Sequence, residues 1–333
     1  MYFMFILAAA ITLVLFLAFT LFPTSPSYAL PEPGEVASGS AVFSYPDQNT
    51  LNIDATDKAI INYNSFSIAQ HEVVNVNLPQ ADSQILNRVL GNIASNILGT
   101  LNCNGIFFLV NPSGINIAPT ANLNASGVVL STRDITDSDF LSGQYLFNKY
   151  SKEALDYLLL NQGNINISNA GFSVLIGGAI ENSGTIIAPL GTIALAAGNA
   201  VTIGISGNDL ISIAITEATA QTVLDYNGNP VLDQIKNTGT LRANGGVIML
   251  SAESIPGLFE TAINLDGYVR AETLDSKEGK LKVNTSGKVK VNADIKATQV
   301  EIKAKEVISI QPVEVIPVKP VIAQESILIE AAK

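Results

Sequence analysis

"NSGTIIAPLGTIALAAG" occupies residues 182–198, and "NTGTLRANGGVIMLSAE" occupies residues 237–253. The two align at a constant offset of 55: Asn182 with Asn237, Gly184 with Gly239, Ile186 with Leu241, Gly191 with Gly246, Leu195 with Leu250. Neither copy carries a group suited to catalysis, so the recurrence is architectural. Its apolar residues alternate at i and i+2, which is the period of a half-buried strand. Its Asn-x-Gly element marks a corner, where Gly tolerates positive φ and the Asn amide serves the turn.

The element returns along the chain. Gly163 in "NQGNINI", Gly184, Gly239, Gly267 in "LDGYVR" and Gly287 in "TSGKVK" follow one another at 21, 55, 28 and 20 residues. A step near 20, with wider gaps as insertions, matches one turn of a parallel β-helix whose coils stack like on like. The expected fold is all-β: a right-handed parallel β-helix, a β-solenoid with extra-helical hairpin and loop excursions and an N-terminal cap. Helix-connected units are lacking, against a doubly wound fold.

The excursions are expected in the 55-residue gap and over 134–160. The first holds a strand at 210–216 and a turn at Asn227-Gly228-Asn229-Pro230, read as a hairpin lying outside the coil. In the second, 152–160 reads as a short helix. "SQILNRVLGNIASNILGTL" at 83–101 carries a helical apolar stripe, yet Gly91, Gly99 and three Asn weaken a helix. It is read as strand–turn–strand. Pro312, Pro317 and Pro320 make 312–333 an extended Pro/Val-rich tail.

The 333 residues are 14% charged and 47% apolar, and the net charge is −11. That acidity argues against a nucleic-acid partner, which needs a dense basic footprint. Residues 30–269 hold 7 Lys/Arg against 20 Asp/Glu, whereas 270–306 hold 9 against 6. The later stretch alternates Lys with Val or Ile and reads as solvated strand faces. The charge-free run "MYFMFILAAAITLVLFLAFTLF" ends in Ser27-Tyr28-Ala29, a small–x–small cleavage pattern, so 1–29 reads as a signal peptide with Leu30 first in the mature chain. Left uncleaved, the run is long enough to anchor in a bilayer. Either way the rest lies outside the cytoplasm.

A search for chemistry finds little. The single cysteine, Cys103, excludes an internal disulfide or a Cys-based metal cage and is expected to pack as a small apolar side chain. The single histidine, His71 in "AQHEVV", has no nucleophile elbow to serve and reads as a surface or turn residue. Asp134, Asp137 and Asp139 match no Ca²⁺ loop and read as loop carboxylates or helix caps. No cofactor and no metal is expected, and the chain reads as a non-enzyme.

A more specific reading comes from residues 61–143. In order they carry the strand with Phe66 and Ile68, "ILNRV" at 85–89, "GTL" at 99–101, "NGIFFLVNPSGI" at 104–115, "ASGVVLST" at 125–132, and Asp139-Phe140. This set resembles the filamentous-haemagglutinin N-terminal domain, the secretion domain of two-partner secretion exoproteins. The resemblance spans about residues 36–253. It implies Sec export, then passage across the outer membrane through a dedicated β-barrel transporter with periplasmic POTRA domains, to a secreted or cell-surface location. Together with the residue readings above, the chain is expected to divide into a signal peptide at 1–29, a β-helix secretion domain at 30–311, with coils continuing past the resemblance to about 310, and the tail at 312–333.

The family signature Asn-Pro-Asn-Gly-Ile stands here as Asn111-Pro112-Ser113-Gly114-Ile115, with Ser113 replacing the third residue. This motif is at once strong turn chemistry and, by the resemblance, a transporter-recognition element. The family's second Asn-Pro element has no clear counterpart; Asn229-Pro230-Val231-Leu232 echoes it loosely, in another region. The first reading is therefore an adhesin-like exoprotein, with a possible host or environmental surface ligand. A secreted β-helix carbohydrate-active enzyme and an anchored periplasmic or surface solenoid are the alternatives. Coil corners at Asn182, Gly184, Asn237 and Gly239 are the remaining candidate positions.

Overall fold

In a computed structural model, the described residues are 30–149, 151, 154–206, 210–309, 314–315 and 327–329. The apolar leader at 1–29 lies outside them. Each complete coil runs through three strands. In one coil these are Ile180–Asn182, Thr185–Ile187 and Thr192–Ala197. In the next they are Asp233–Asn237, Thr240–Arg242 and Val247–Ala252. Every pair of corresponding strands is parallel and hydrogen-bonded, with Asn182 opposite Asn237, Thr185 opposite Thr240 and Leu195 opposite Leu250. The offset of 55 is thus the spacing of one coil to the next with an insertion between them, and the fold is a parallel β-helix.

Stacking places like on like. Leu123, Ile165, Ile186, Leu241, Val269 and Ile295 succeed one another in register and are all at most 1% exposed. Burying one such aliphatic contributes about 1.5–3 kcal/mol, so the column repeats that gain at every level. Cys103 lies in this interior as a buried thiol, and burial raises its pKa to about 11. His71 is exposed in the turn before Val73–Asn77. At the N-terminal end, Pro33–Ser38 pairs antiparallel with Ala59–Tyr63, and Ala41–Asp47 with Thr50–Ala55. These antiparallel pairs cap the end of the solenoid.

Residues 83–101 form strand, turn and strand: Gln84–Val89, Ser95–Ile97 and the start of Thr100–Val110. The hairpin excursion is also present, as Ala200–Ser206 antiparallel to Leu210–Glu217. Tyr145–Asn148, from the other excursion, joins it to make a three-stranded sheet. With the helix Asp137–Ser142, this sheet buries Phe140, Tyr145, Phe147, Val201 and Ile203 against the outward face of the long strands. Phe108 there packs edge-on to Phe140, with ring centroids 5.2 Å apart, and stacks on Tyr145 at 5.6 Å. A second hydrophobic core thus lies outside the coil.

Three expectations are corrected. The short helix expected at 152–160 is absent among the described residues of that stretch, which form the strands Asp156–Tyr157 and Leu159–Asn161. Asp156 is drawn into an ion pair, and Leu159 enters the ladder between Ile115 and Ile180, so tertiary partners override local helix preference. Second, Gly287 does not belong with the other four glycines. Leu265 faces Val291 and Tyr268 faces Asp294, which leaves Ala293, not Gly287, above Gly267. Third, Gly163, Gly184, Gly239 and Gly267 are absent from the positive-φ residues. They are needed for close approach: a Cβ on Gly239 would sit 2.1 Å from the carbonyl oxygen of Gly184, and one on Gly267 2.1 Å from that of Gly239. The tail expected at 312–333 falls mostly outside the described residues; its described pieces, Glu314–Val315 and Ile327–Ile329, pair in parallel with earlier coils.

Candidate functional site

Chain order gives the coil three corners. The first, between the first and second strands of a coil, such as Ile180–Asn182 and Thr185–Ile187, carries Asn-x-Gly. Here Asn182 and Asn237 are fully buried, and the amides form a ladder: Asn161 Nδ2 donates to Asn182 Oδ1 at 2.7 Å, and Asn182 Nδ2 to Asn237 Oδ1 at 2.7 Å. The carbonyl of Asn182 accepts from the amides of Thr238 and Gly239 in the next coil. This corner is a closed hydrogen-bonded stack. It offers nothing to a ligand.

The third corner, between the third strand of one coil and the first strand of the next, such as Thr192–Ala197 and Asp233–Asn237, is where both excursions at 132–158 and 198–232 leave the coil. Asn111–Ile115 lies here. Asn111 is fully buried; its Nδ2 donates to the carbonyl of Ile93 at 3.0 Å and to Ser95 Oγ at 2.9 Å, and its Oδ1 accepts from the Ser113 amide at 2.9 Å. The Gly114 amide donates to the Asn111 carbonyl at 3.1 Å, which closes a four-residue turn. Gly114 has φ +109°, a value that favours glycine. Ile115 turns inward and is buried. Only Pro112 and Ser113 present partly exposed side chains.

The surroundings of this turn are built by the excursions. Tyr157 and Tyr226 flank Gly114, whose Cβ, if it had one, would lie 3.3 Å from Tyr157 Cβ and 3.5 Å from the Tyr226 ring. Tyr226 Oη donates to the Leu158 carbonyl at 3.0 Å, and burial raises the pKa of its phenol. The next turn centres on Asp225, which accepts from the amides of Asn227 and Asn229, each at 2.8 Å; the Asn229 amide is the main reason its pKa falls. Leu224 bridges Pro230 antiparallel, and Val223–Leu224 pairs in parallel with Asp156–Tyr157. The fold thus puts the loops that carry Asn229-Pro230 and Asn111-Pro112 on one corner, in contact through Tyr226 and Gly114, although they stand far apart in the chain. The tyrosines that join them were missed in the sequence; only the Asn-Pro echo hinted at the neighbourhood.

Beneath the excursions lies a buried clamp. Arg133 makes a bidentate pair with Asp156 at 2.8 and 2.7 Å, and its Nε donates to the Gly198 carbonyl at 2.8 Å. Both side chains are 1% exposed. A Cβ on Gly178 would stand 2.4 Å from Asp156 Oδ2 and 2.5 Å from the Arg133 guanidinium, so a side chain there would displace the ion pair. Lys149 donates to the Ala154 carbonyl at 2.9 Å and to Gln221 Oε1, and desolvation lowers its pKa against the opposing pull of Asp156. The clamp therefore ties together the roots of both excursions.

A pocket of about 440 Å³ opens between Arg88, Leu90, Pro112, Ser113, Asp134, Leu155 and Tyr157. Arg88 is held by Asp134 at 3.0 Å and Asp137 at 2.7 Å. Thr136 caps the helix by accepting from the Asp139 amide, and Asp137 and Asp139 sit in its first turn. The three aspartates thus serve an ion pair and a helix start. Among the described residues no group of three or more His, Cys, Asp or Glu side chains is placed to hold a metal. The corner presents a shaped surface.

The family model described as TPS secretion domain matches residues 29–297. A heme/hemopexin-binding protein of Haemophilus influenzae is 29% identical over 285 residues, covering 82% of this chain and 30% of that protein. A second heme/hemopexin-binding protein of that species is 27% identical over 256 residues, covering 71% of this chain and 26% of its own length. The chain therefore spans about a third or less of these relatives. Among solved structures, the HMW1 secretion domain from Haemophilus influenzae is 26% identical with a TM-score of 0.67, covering 85% of this chain and 82% of that one.

Proposed function

The chain belongs to the TPS secretion domain family, and from this membership we propose that it is an exoprotein of a two-partner system whose β-helix directs its own export. The partner is an outer-membrane β-barrel transporter, engaged through its periplasmic POTRA domains, and the destination is the cell surface or the medium. Residues 1–29 supply the Sec signal. The observation that carries this reading is the family match across nearly the whole β-helix. The likeness to the HMW1 secretion domain supports it.

The Asn111–Ile115 turn is the recognition element in this reading. Its buried Asn111 and left-handed Gly114 hold Pro112 and Ser113 in one fixed presentation. A preorganised turn loses little entropy on binding. An exposed sheet edge offers a further mode, in which a partner strand adds to the solenoid. Stacking of the later coils outside the cell then hinders backsliding. The relatives' names record heme/hemopexin binding, but the shared part is a fraction of their length, so adhesion or surface binding is the class proposed here and no ligand is specified.

The test is export itself. Cells producing the chain with and without the transporter of its own two-partner system are compared by immunoblot of medium and periplasm. The chain is expected in the medium only when the transporter is present. Equal release without the transporter would overturn the proposal.

A further inference from the structure

A groove of about 570 Å³ runs over the outer surface beside the second corner, between the second and third strands of successive coils. One row along it is a column of half-buried amides, Asn52, Asn75, Asn102 and Asn124, which face one another in register. Asn75 Nδ2 donates to Asn52 Oδ1 at 2.9 Å, Asn102 Nδ2 to Asn75 Oδ1 at 3.0 Å, and Asn124 Nδ2 to Asn102 Oδ1 at 2.9 Å. Asn166 continues the ladder onto Asn124 at 3.0 Å. A second row is formed by Asn77, Asn104, Ser126 and Ser168. Between the rows lie the buried Val76, Cys103 and Ala125.

An amide has two N–H donors and an oxygen with two acceptor sites. The ladder uses one of each at Asn75, Asn102 and Asn124, so every rung keeps a donor and an acceptor for the solvent side. The fold does not require an amide here. In later coils the same column continues as Ile187, Arg242, Arg270 and Lys296. The ladder also fixes how each amide points, and the rungs repeat about every 4.8 Å. The groove thus holds a preorganised, evenly spaced set of neutral donors and acceptors.

No Lys, Arg, His, Asp or Glu lines it, and burial raises the Cys103 thiol to about 11, so the lining is neutral. Asp54, in register beside Asn77, accepts from its Nδ2 at 2.8 Å. A polyanion needs a basic lining, and a divalent cation needs clustered carboxylates. A peptide strand has no edge to join, because Val73–Asn77, Thr100–Val110 and Asn122–Ser131 are each paired on both sides. The complement of this lining is a chain of neutral hydroxyls with a regular repeat. We propose that the groove binds a neutral glycan laid along the solenoid axis, its successive hydroxyls bonded to successive amides. The inference gives the surface-binding reading above a place and a ligand class, and it rests on that reading only in putting the groove outside the cell.

The test is titration calorimetry of the full chain with cello-, manno- and chito-oligosaccharides of increasing length, and with polygalacturonate and heparin as acidic comparators. At least one neutral series is expected to bind, more tightly as it lengthens and with little dependence on salt. Asn102→Thr/Asn124→Thr keeps residues suited to a strand but removes two amides, and is expected to weaken binding about tenfold or more. Ser168→Trp fills the exposed second row without touching the ladder and is expected to weaken binding as well, which keeps the test decisive if the double variant loses its fold. The control is Asn116→Thr, which removes an amide that donates to Asn96 Oδ1 at 3.2 Å on a different sheet of the coil; it is expected to bind as wild type. Binding to none of the neutral series overturns the inference. So does tighter, salt-sensitive binding of an acidic comparator, unchanged affinity in either groove variant, or an equal loss in Asn116→Thr. Export is read separately in the medium, so a chain that its transporter releases and that binds no neutral glycan overturns this inference alone.

Discussion

The first and third corners of the coil close the same triangle and obey opposite rules. At the first, Gly163, Gly184, Gly239 and Gly267 stack carbonyl against α-carbon with no room for a methyl group, and the buried amides of Asn161, Asn182 and Asn237 bond rung to rung. At the third, Gly91 and Gly178 beside the coil are also tight, but two long excursions leave the stack, and at the tip of one a Cβ on Gly228 would meet nothing within 4 Å. One corner sets the register of the coils. The other is where chain can be added without disturbing them. A solenoid tolerates insertion wherever its rungs do not touch, and variable surface belongs at such places.

The comparison is broken or sharpened by four substitutions, beginning with the most damaging. Gly239→Ala places a methyl group 2.1 Å from the Gly184 carbonyl oxygen, and a loss of about 5 kcal/mol is expected, at the exceptional end for a point change. A urea melt with the wild-type midpoint would refute the close-packed reading of this corner. Arg133→Met leaves Asp156 buried and unpaired; the expected cost is about 4 kcal/mol, and the double variant Arg133→Met/Asp156→Leu should recover most of it. Protease digestion should nick 132–158 and 198–232 first in the single variant. Cleavage elsewhere would show that the clamp does not hold the excursions.

Asn182→Ala removes the middle of the amide ladder and leaves Asn161 Nδ2 and Asn237 Oδ1 without their ladder partners. Calorimetry is expected to show a loss of about 2–3 kcal/mol. Gly228→Ala completes the contrast with Gly239→Ala. Its φ of +81° disfavours alanine, but its surroundings are open, so a cost of only about 1 kcal/mol is expected. Similar melting temperatures for Gly228→Ala and Gly239→Ala would erase the distinction between the two corners.

Much of this was legible in the residues themselves. Strand alternation in "TIALA" and "VIML", the offset of 55 and the turn chemistry of Asn-x-Gly depend on neighbours in sequence or on stacking of like on like. A repeating fold writes such features into its chain. The excursion hairpin was visible for the same reason, as a strand and a turn between two matching coils. The helix expected at 152–160 failed because Asp156 answers to Arg133 and Leu159 to Ile115, partners that no local pattern displays. Gly287 was grouped with Gly267 on spacing alone, when the ladder puts Ala293 there.

The sequence by itself therefore determined the class of fold, the direction of the apolar faces and the likeness that led to an export function. Those follow from period, composition and motif, which are properties of short stretches. Only the tertiary structure decided why the corner glycines are needed, since their reason is a carbonyl one coil away and not their own φ. It alone also decided that Tyr157, Tyr226 and both Asn-Pro turns share one corner, because strand pairing between Asp156–Tyr157 and Val223–Leu224 brings them together across dozens of residues.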